Sequence, residues 1–154
     1  MLDLAIKEIS RIEKLISSWD KSSQTSKINL NAGIKPIKVD KELFDLISRS
    51  LKVSQLSQGA FDISYASLDK VWYFNKKMLK IPSEEEIKKS VSNVGFGNII
   101  LNQKNQTVFL KRKGMKIGFG AIGKGYAADM AQLILIKNNV KSGIINASGD
   151  LTAW

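Results

Sequence analysis

The run Gly118-Phe-Gly-Ala-Ile-Gly-Lys-Gly-Tyr-Ala-Ala-Asp129 sets four glycines and one lysine between a strand-like segment and a helix-like one. Glycine lets the backbone turn sharply and come close to a ligand. The first turn of a helix carries N–H groups without intrahelical acceptors, a favourable place for a phosphate. The stretch therefore points to an anionic, nucleotide-like ligand. The bland alternative is a tight strand-to-helix turn that binds nothing.

Two familiar patterns overlap here, and neither is supported by its surroundings. Gly118, Gly120 and Gly123 satisfy G-x-G-x-x-G, and Gly118, Gly123 and Lys124 satisfy G-x-x-x-x-G-K. The second pattern needs Ser or Thr after the lysine to hold magnesium, and Gly125 stands there. The strand expected to lead in, Val108 to Ile117, carries Lys111, Arg112, Lys113 and Lys116. A parallel strand buried on both faces would be nearly all apolar. Too little chain follows Asp129 to complete either fold.

The 154 residues fit one domain with a real core, and 44% apolar with 25% charged residues is an ordinary globular balance. No apolar run approaches the length of a membrane span, and Met1 leads directly into a charged amphipathic segment rather than a leader. With no cysteine and no histidine, thiol chemistry, disulfides, the commonest general base and the commonest transition-metal ligand are excluded. Catalysis would have to use carboxylates, Lys, Tyr, Ser, Thr, backbone groups or a hard oxygen-ligated cation such as magnesium. The net charge of +10 suits an anionic partner or simply a solvated lysine-rich surface. The lysines are spread out, without the aromatic-basic clustering of an RNA-binding module, so no nucleic acid is expected.

Leu2, Ala5, Ile6, Ile9, Ile12, Ile16 and Trp19 recur at helical spacing and predict an amphipathic helix. Ser17 to Ser26 reads as a polar loop. Pro36 to Val39 reads as extended, and Asp40 as the N-cap of a helix bearing Leu43, Phe44, Ile47 and Leu51. Ser83 with Glu86 predicts a capping box for a short helix through Val91. Asn98–Leu101 and Thr107–Leu110 read as a hairpin. Lys113-Gly114 turns the chain into an extended Met115–Phe119. A helix from about Gly123 to Asn138 follows, then strands Gly143–Asn146 and Leu151–Trp154. Together these predict an α+β domain with a mainly antiparallel sheet and helices packed on it. Trp154 falls inside the last expected strand, an edge left exposed unless docked on a partner.

Taken together, Gly59-Ala-Phe-Asp62, Gly120-Ala-Ile-Gly-Lys-Gly-Tyr-Ala-Ala-Asp129 and Asn146-Ala-Ser-Gly-Asp150 resemble the FAD:protein FMN transferase (ApbE-like) family in order and spacing. The Ser-rich segment around Trp19 to Asn29 resembles that family's S-x-Y…S-x-I-S-x-x-N region. Leu68 to Phe74 resembles its Leu-x-x-Trp-x-Phe element. The match covers nearly the whole chain as one partial transferase domain, and each motif is specific only in company with the others. The resemblance implies an ApbE-like (T-fold-like) domain, truncated at both ends. It implies a magnesium-dependent enzyme that cleaves FAD, transfers FMN to a Thr or Ser of a target flavoprotein and releases AMP. Such relatives work outside the cytoplasmic membrane, in the periplasm or anchored to the outer face as lipoproteins.

The same resemblance assigns Trp19 to an aromatic lining the flavin site and Ala60, Phe61 and Asp62 to a second wall of the FAD pocket. It places Ala121 where a main-chain carbonyl helps to hold the metal, Lys124 in contact with FAD, and Gly118 at the entrance to the glycine loop. Ser148, Gly149 and Asp150 stand for a Gly-Gly-Asp turn beside the pocket. Each has a plainer reading: core packing for Trp19 and Phe61, a turn anchor for Asp62, a solvated helix-end charge for Lys124. A lysine at a helix N-terminus opposes the dipole, which an anion would offset. N–H groups around Gly123 to Gly125 would add to its positive field.

Two departures bear on activity. Gly118 stands where many relatives carry an aspartate, and the acidic metal-binding segment of the form Asp-Ala-x-x-Thr-Ala is absent, as is an N-terminal Met-Gly-Thr strand. A magnesium held by one carbonyl binds weakly, so this chain alone is expected to transfer FMN poorly. A complementing chain or a homo-oligomer would supply the missing ligands. A non-catalytic flavin- or nucleotide-binding module is the competing class, and a basic nucleic-acid-binding domain a more distant one.

Overall fold

The computed structural model describes residues 1–72 and 80–154. Tyr73 and Phe74, part of the Leu68–Phe74 element, lie outside the described residues. In chain order the elements are α1 (Leu2–Ile16), α2 (Gln24–Leu30), β1 (Ile37–Lys38), α3 (Lys41–Leu56), α4 (Glu84–Ser90), β2 (Ile99–Asn102), β3 (Thr107–Leu110), α5 (Gly123–Lys137), β4 (Ile144–Ala147) and β5 (Asp150–Ala153). Short 3-10 helices cover Ile63–Ser67 and Phe96–Asn98. Among the described residues every strand pair is antiparallel, in two small sheets, β1-β3-β2 and β4-β5. No described helix is long and apolar enough to cross a membrane. The chain divides into two compact units, residues 27–118 and the combination of 1–26 with 119–154.

In the unit of residues 27–118, the expected hairpin forms with Leu101 opposite Val108 and Ile99 opposite Leu110. Ile99, Val108 and Leu110 are buried, with Leu43, Phe44 and Ile47 of α3. Asp40 takes the N-cap position of α3, with extended backbone. The capping box of α4 is complete: Ser83 Oγ accepts from Glu86 N–H, and Glu86 accepts from Ser83 N–H at 2.7 Å.

Two expectations need correction. The Ser17–Ser26 stretch is not loop throughout, because α2 begins at Gln24 with Ser23 Oγ accepting from Ser26 N–H at 2.9 Å. A helix of seven residues carries too little periodicity to read, and its signal is the cap alone. β3 ends at Leu110 and the chain turns through Lys111–Gly114, as the hairpin and the Lys113-Gly114 turn predict, but the strand-like lead-in to Gly118 joins no sheet.

Met115 to Gly118 then run without a ladder partner, with Met115, Ile117 and Gly118 buried and Lys116 exposed, and side chains take the ladder's place. Asn29 accepts from Ile117 N–H at 2.8 Å and donates to Ile117 C=O at 3.0 Å. Ser67 Oγ bonds both Lys116 N–H and Lys116 C=O, at 2.7 and 2.8 Å. Gly118 N–H reaches Ile63 C=O at 2.9 Å. Buried backbone groups must be paired somewhere, and a side chain with both donor and acceptor does the work of a neighbouring strand.

The other unit is built on two helices and a hairpin. α1 packs against α5, and α5 packs on β4 and β5. Ile12 of α1 and Ala127, Ala128 and Ala131 of α5 are buried. At the hairpin's open end Gly143 and Trp154 exchange backbone hydrogen bonds at 3.1 Å, and Trp154 Nε1 donates to Val140 C=O.

Replacing Asn29 by Ala strands two polar groups of buried Ile117. At about 1–3 kcal/mol for each of the two groups, the melting temperature should fall by roughly 4–24 °C. An unchanged thermal melt would show that something else holds the segment. The α4 cap supplies a pH test. The Ser83 N–H, then its hydroxyl, and then the Lys80 charge hold the Glu86 carboxyl below its usual range. A lowered carboxylate pKa contributes stability above the unfolded value and loses it as pH falls through the folded one. Amide-exchange protection in the first turn of α4 should therefore drop as pH falls below the usual glutamate range, and Glu86→Gln should remove that dependence.

Candidate functional site

The α1–α5 packing leaves a cleft of about 440 Å³ on its own unit, within the size range of small-molecule sites. Ile9, Ile12 and Ile16 of α1 form one wall, with Ala127 and Ala128 of α5 opposite. Ser17, Ser18 and Trp19 also line it, with Phe119, Gly120, Gly123, Lys124 and Ala147 of β4. Glu13 and Lys124 are its only charged lining residues. The chemistry is an apolar trough with two aromatic residues, one ammonium and one carboxylate, and its ammonium end suits a flat ring system attached to an anion.

Trp19 is 92% exposed, which removes core packing as its role. Its position is fixed by the backbone: Ser17 Oγ accepts from the N–H groups of Trp19 and Asp20 at 3.2 and 3.0 Å. Asp20 in turn accepts from the Ser22 hydroxyl and N–H, which hold its carboxyl below the usual range. The aromatic ring is thus carried on a stapled turn directly after α1.

The glycine loop works differently from the sequence expectation. None of Gly118, Gly120, Gly123 and Gly125 has a positive φ. Gly123 is needed for packing: a Cβ there would lie 2.8 Å from Ile16 Cδ1. Its N–H is also taken, donating to Phe119 C=O at 2.6 Å. Of the three N–H groups expected around Gly123 to Gly125 to face a ligand, those of Lys124 and Gly125 are the ones left by helix geometry at this terminus. A side chain at Gly125 would meet nothing within 4 Å.

Lys124 is the second residue of α5. Its Nζ donates to Ser148 C=O at 3.2 Å and stands 3.7 Å from an Asp150 carboxylate oxygen. Both partners lie on the β4–β5 turn, whose central residues Ser148 and Gly149 have φ of 57° and 101°. Two left-handed residues form the tight hairpin turn that matches strand twist. Asn146 Oδ1 accepts from Gly149 N–H at 2.9 Å and fixes it. The dipole penalty on Lys124 is therefore offset within the protein.

The remaining expected residues lie elsewhere. Ala60, Phe61 and Asp62 belong to the unit of residues 27–118, with Ala60 exposed and Phe61 half-buried. Both Asp62 carboxylate oxygens are used as anchors, accepting from Ser64 N–H at 2.7 Å and Phe96 N–H at 2.8 Å. Gly118 is buried in that unit. Ala121 is exposed and outside the cleft lining. Among the described residues no three Asp or Glu side chains gather to hold a metal, and Asp150 faces an ammonium. These residues do not fit a magnesium ion by themselves.

The sequence reading missed the α1 wall, Phe119 and the alanines of α5. The apolar stripe of α1 was visible, but a stripe does not say whether it faces a core or a cavity.

Comparison with known proteins decides the family. The chain matches the ApbE family over residues 2–154. The chain belongs to the ApbE family. It is 31% identical to the FAD:protein FMN transferase of Buchnera aphidicola subsp. Schizaphis graminum over 151 residues, 96% of this chain and 44% of that relative. It is 30% identical to a protein of the same name from Klebsiella pneumoniae, over 93% of this chain and 45% of the relative. The crystal structure of an ApbE protein from Thermotoga maritima superposes with a TM-score of 0.86 at 31% identity, over 99% of this chain and 50% of that one. The chain thus spans about half the length of the ApbE relatives it matches, and its helices and antiparallel sheets are those of the family.

If Gly123 serves helix packing, Gly123→Ala should cost little, because the Ile16 side-chain end can move aside. Gly123→Val should lower stability by about 1–3 kcal/mol through overpacking, read as a lower melting temperature. A Gly123→Ala variant that melts like the parent but loses ligand affinity would instead assign Gly123 to ligand approach.

Proposed function

We propose that this chain forms the FAD-binding part of a magnesium-dependent FAD:protein FMN transferase. The observation that carries the reading is the α1–α5 cleft, which brings exposed Trp19 and the Lys124 ammonium to one apolar trough. The names of the relatives support it.

In the proposed reaction a Thr or Ser hydroxyl of a target flavoprotein attacks the FMN phosphorus of FAD. A new phosphoester bond forms, the pyrophosphate P–O bond breaks, AMP leaves, and the hydroxyl proton is released. The chain's residues would bind and orient rather than attack. Trp19 offers a ring face for stacking. The aliphatic walls exclude water. Lys124 and the α5 N-terminus place positive potential where the diphosphate charge lies. Magnesium would offset the remaining phosphate charge. Its ligands would come from outside these 154 residues. The lack of a carboxylate cluster among the described residues favours a second reading for the stretch in isolation, a flavin-binding module without transfer.

Titrating the chain with FAD, with and without magnesium, tests this. FAD should quench tryptophan fluorescence, and Trp19→Phe should remove most of the quench. Lys124→Met should weaken FAD binding about tenfold, the scale of one charge-assisted contact. AMP release with a flavoprotein acceptor supports transfer, and binding without AMP supports the module. Saturating FAD with neither quench nor heat would sink both.

A further inference from the structure

We infer that Asp150 is a positioning residue that acts through Lys124, holding the ammonium at the cleft rim and restraining its transfer to an anionic ligand. This rests on the cleft binding a diphosphate. The observations concern one joint. Lys124 lies on the cleft, while its Nζ contacts Ser148 C=O at 3.2 Å and faces Asp150 Oδ2 at 3.7 Å. Asp150 pairs across the hairpin with Ala147, itself a cleft residue. The turn between them is locked by two left-handed residues and the Asn146 bond to Gly149 N–H. The carbonyl and carboxylate are thus presented to Lys124 on a rigid support.

The two contacts do different work. The Ser148 carbonyl is neutral and can keep the ammonium in place while it also meets a phosphate, because an ammonium has three donors. The Asp150 carboxylate competes with a phosphate for the same charge. Lys124 and Asp150 side chains are about half exposed, 54% and 46%, so their attraction is modest and screened by salt. Asp150 therefore sets a threshold. A doubly charged diphosphate takes the ammonium from it, while an uncharged flavin gains nothing from Lys124. Lys124 biases the cleft toward diphosphate-bearing ligands, and Asp150 moderates that bias.

The test measures binding of inorganic pyrophosphate, FAD and riboflavin by calorimetry at low salt. It compares the parent chain with Asp150→Asn, Asp150→Ser, Lys124→Met and the Asp150→Asn/Lys124→Met double variant, each checked by thermal melt. Removing the carboxylate should tighten pyrophosphate and FAD about three- to fivefold, the scale of an exposed ion pair. Riboflavin affinity should stay unchanged, and added salt should erase the gain. In the Lys124→Met background the same Asp150→Asn change should give no gain, the non-additivity expected of coupled residues. Unchanged or weaker pyrophosphate binding in both Asp150 variants overturns the inference. So does a gain that persists without Lys124, and so does a parent chain that fails to bind pyrophosphate. If pyrophosphate follows the expected pattern while FAD does not bind, the inference stands and the FAD reading falls.

Discussion

One close approach organises the cleft: α5 begins where a methyl group at residue 123 would overlap Ile16 of α1. With Ile16 Cδ1 only 2.8 Å from where that methyl would sit, the two helices meet tightly at the start of α5. The Gly123 N–H turns back to Phe119. Everything on the cleft follows from where this contact sits. Lys124 comes next in the chain, and Trp19 follows α1 after a short serine-stapled turn. Moving the helices apart would leave both side chains in place on their own elements yet destroy the trough between them.

The chain repeatedly uses polar side chains in place of regular structure. Asn29 and Ser67 pair with an extended segment as a strand would. Asp62 holds two loop N–H groups at once, and Ser17 holds two more. No buried polar side-chain atom among the described residues is left without a partner. Such anchors make local shape depend on single residues, which suits positioning loops near a ligand. They also explain why an apparently functional residue such as Asp62 has a structural duty.

Elements with strong local codes were readable. The α4 capping box, the β2–β3 hairpin and the span of α5 all came from patterns confined to a few neighbours. α2 was missed because seven residues, two turns of helix, carry almost no periodicity. The segment after β3 was misjudged as strand because an extended apolar run looks the same whether a ladder or a side chain satisfies it. The glycine loop was read as a ligand cradle, since glycine is equally required by close packing and by close ligand approach.

From the amino-acid order alone came the α+β class, the family likeness, the exclusion of thiol and imidazole chemistry, and the pairing of an aromatic with a lysine as candidates. Those depend on composition and local spacing. Only the folded chain could assign Gly123 to a helix contact and Lys124 to Ser148 and Asp150. It alone put Trp19 in solvent at a cleft rather than in a core. The reason is physical: a side chain's partner is set by distances between segments remote in sequence, and local preferences carry no record of those distances.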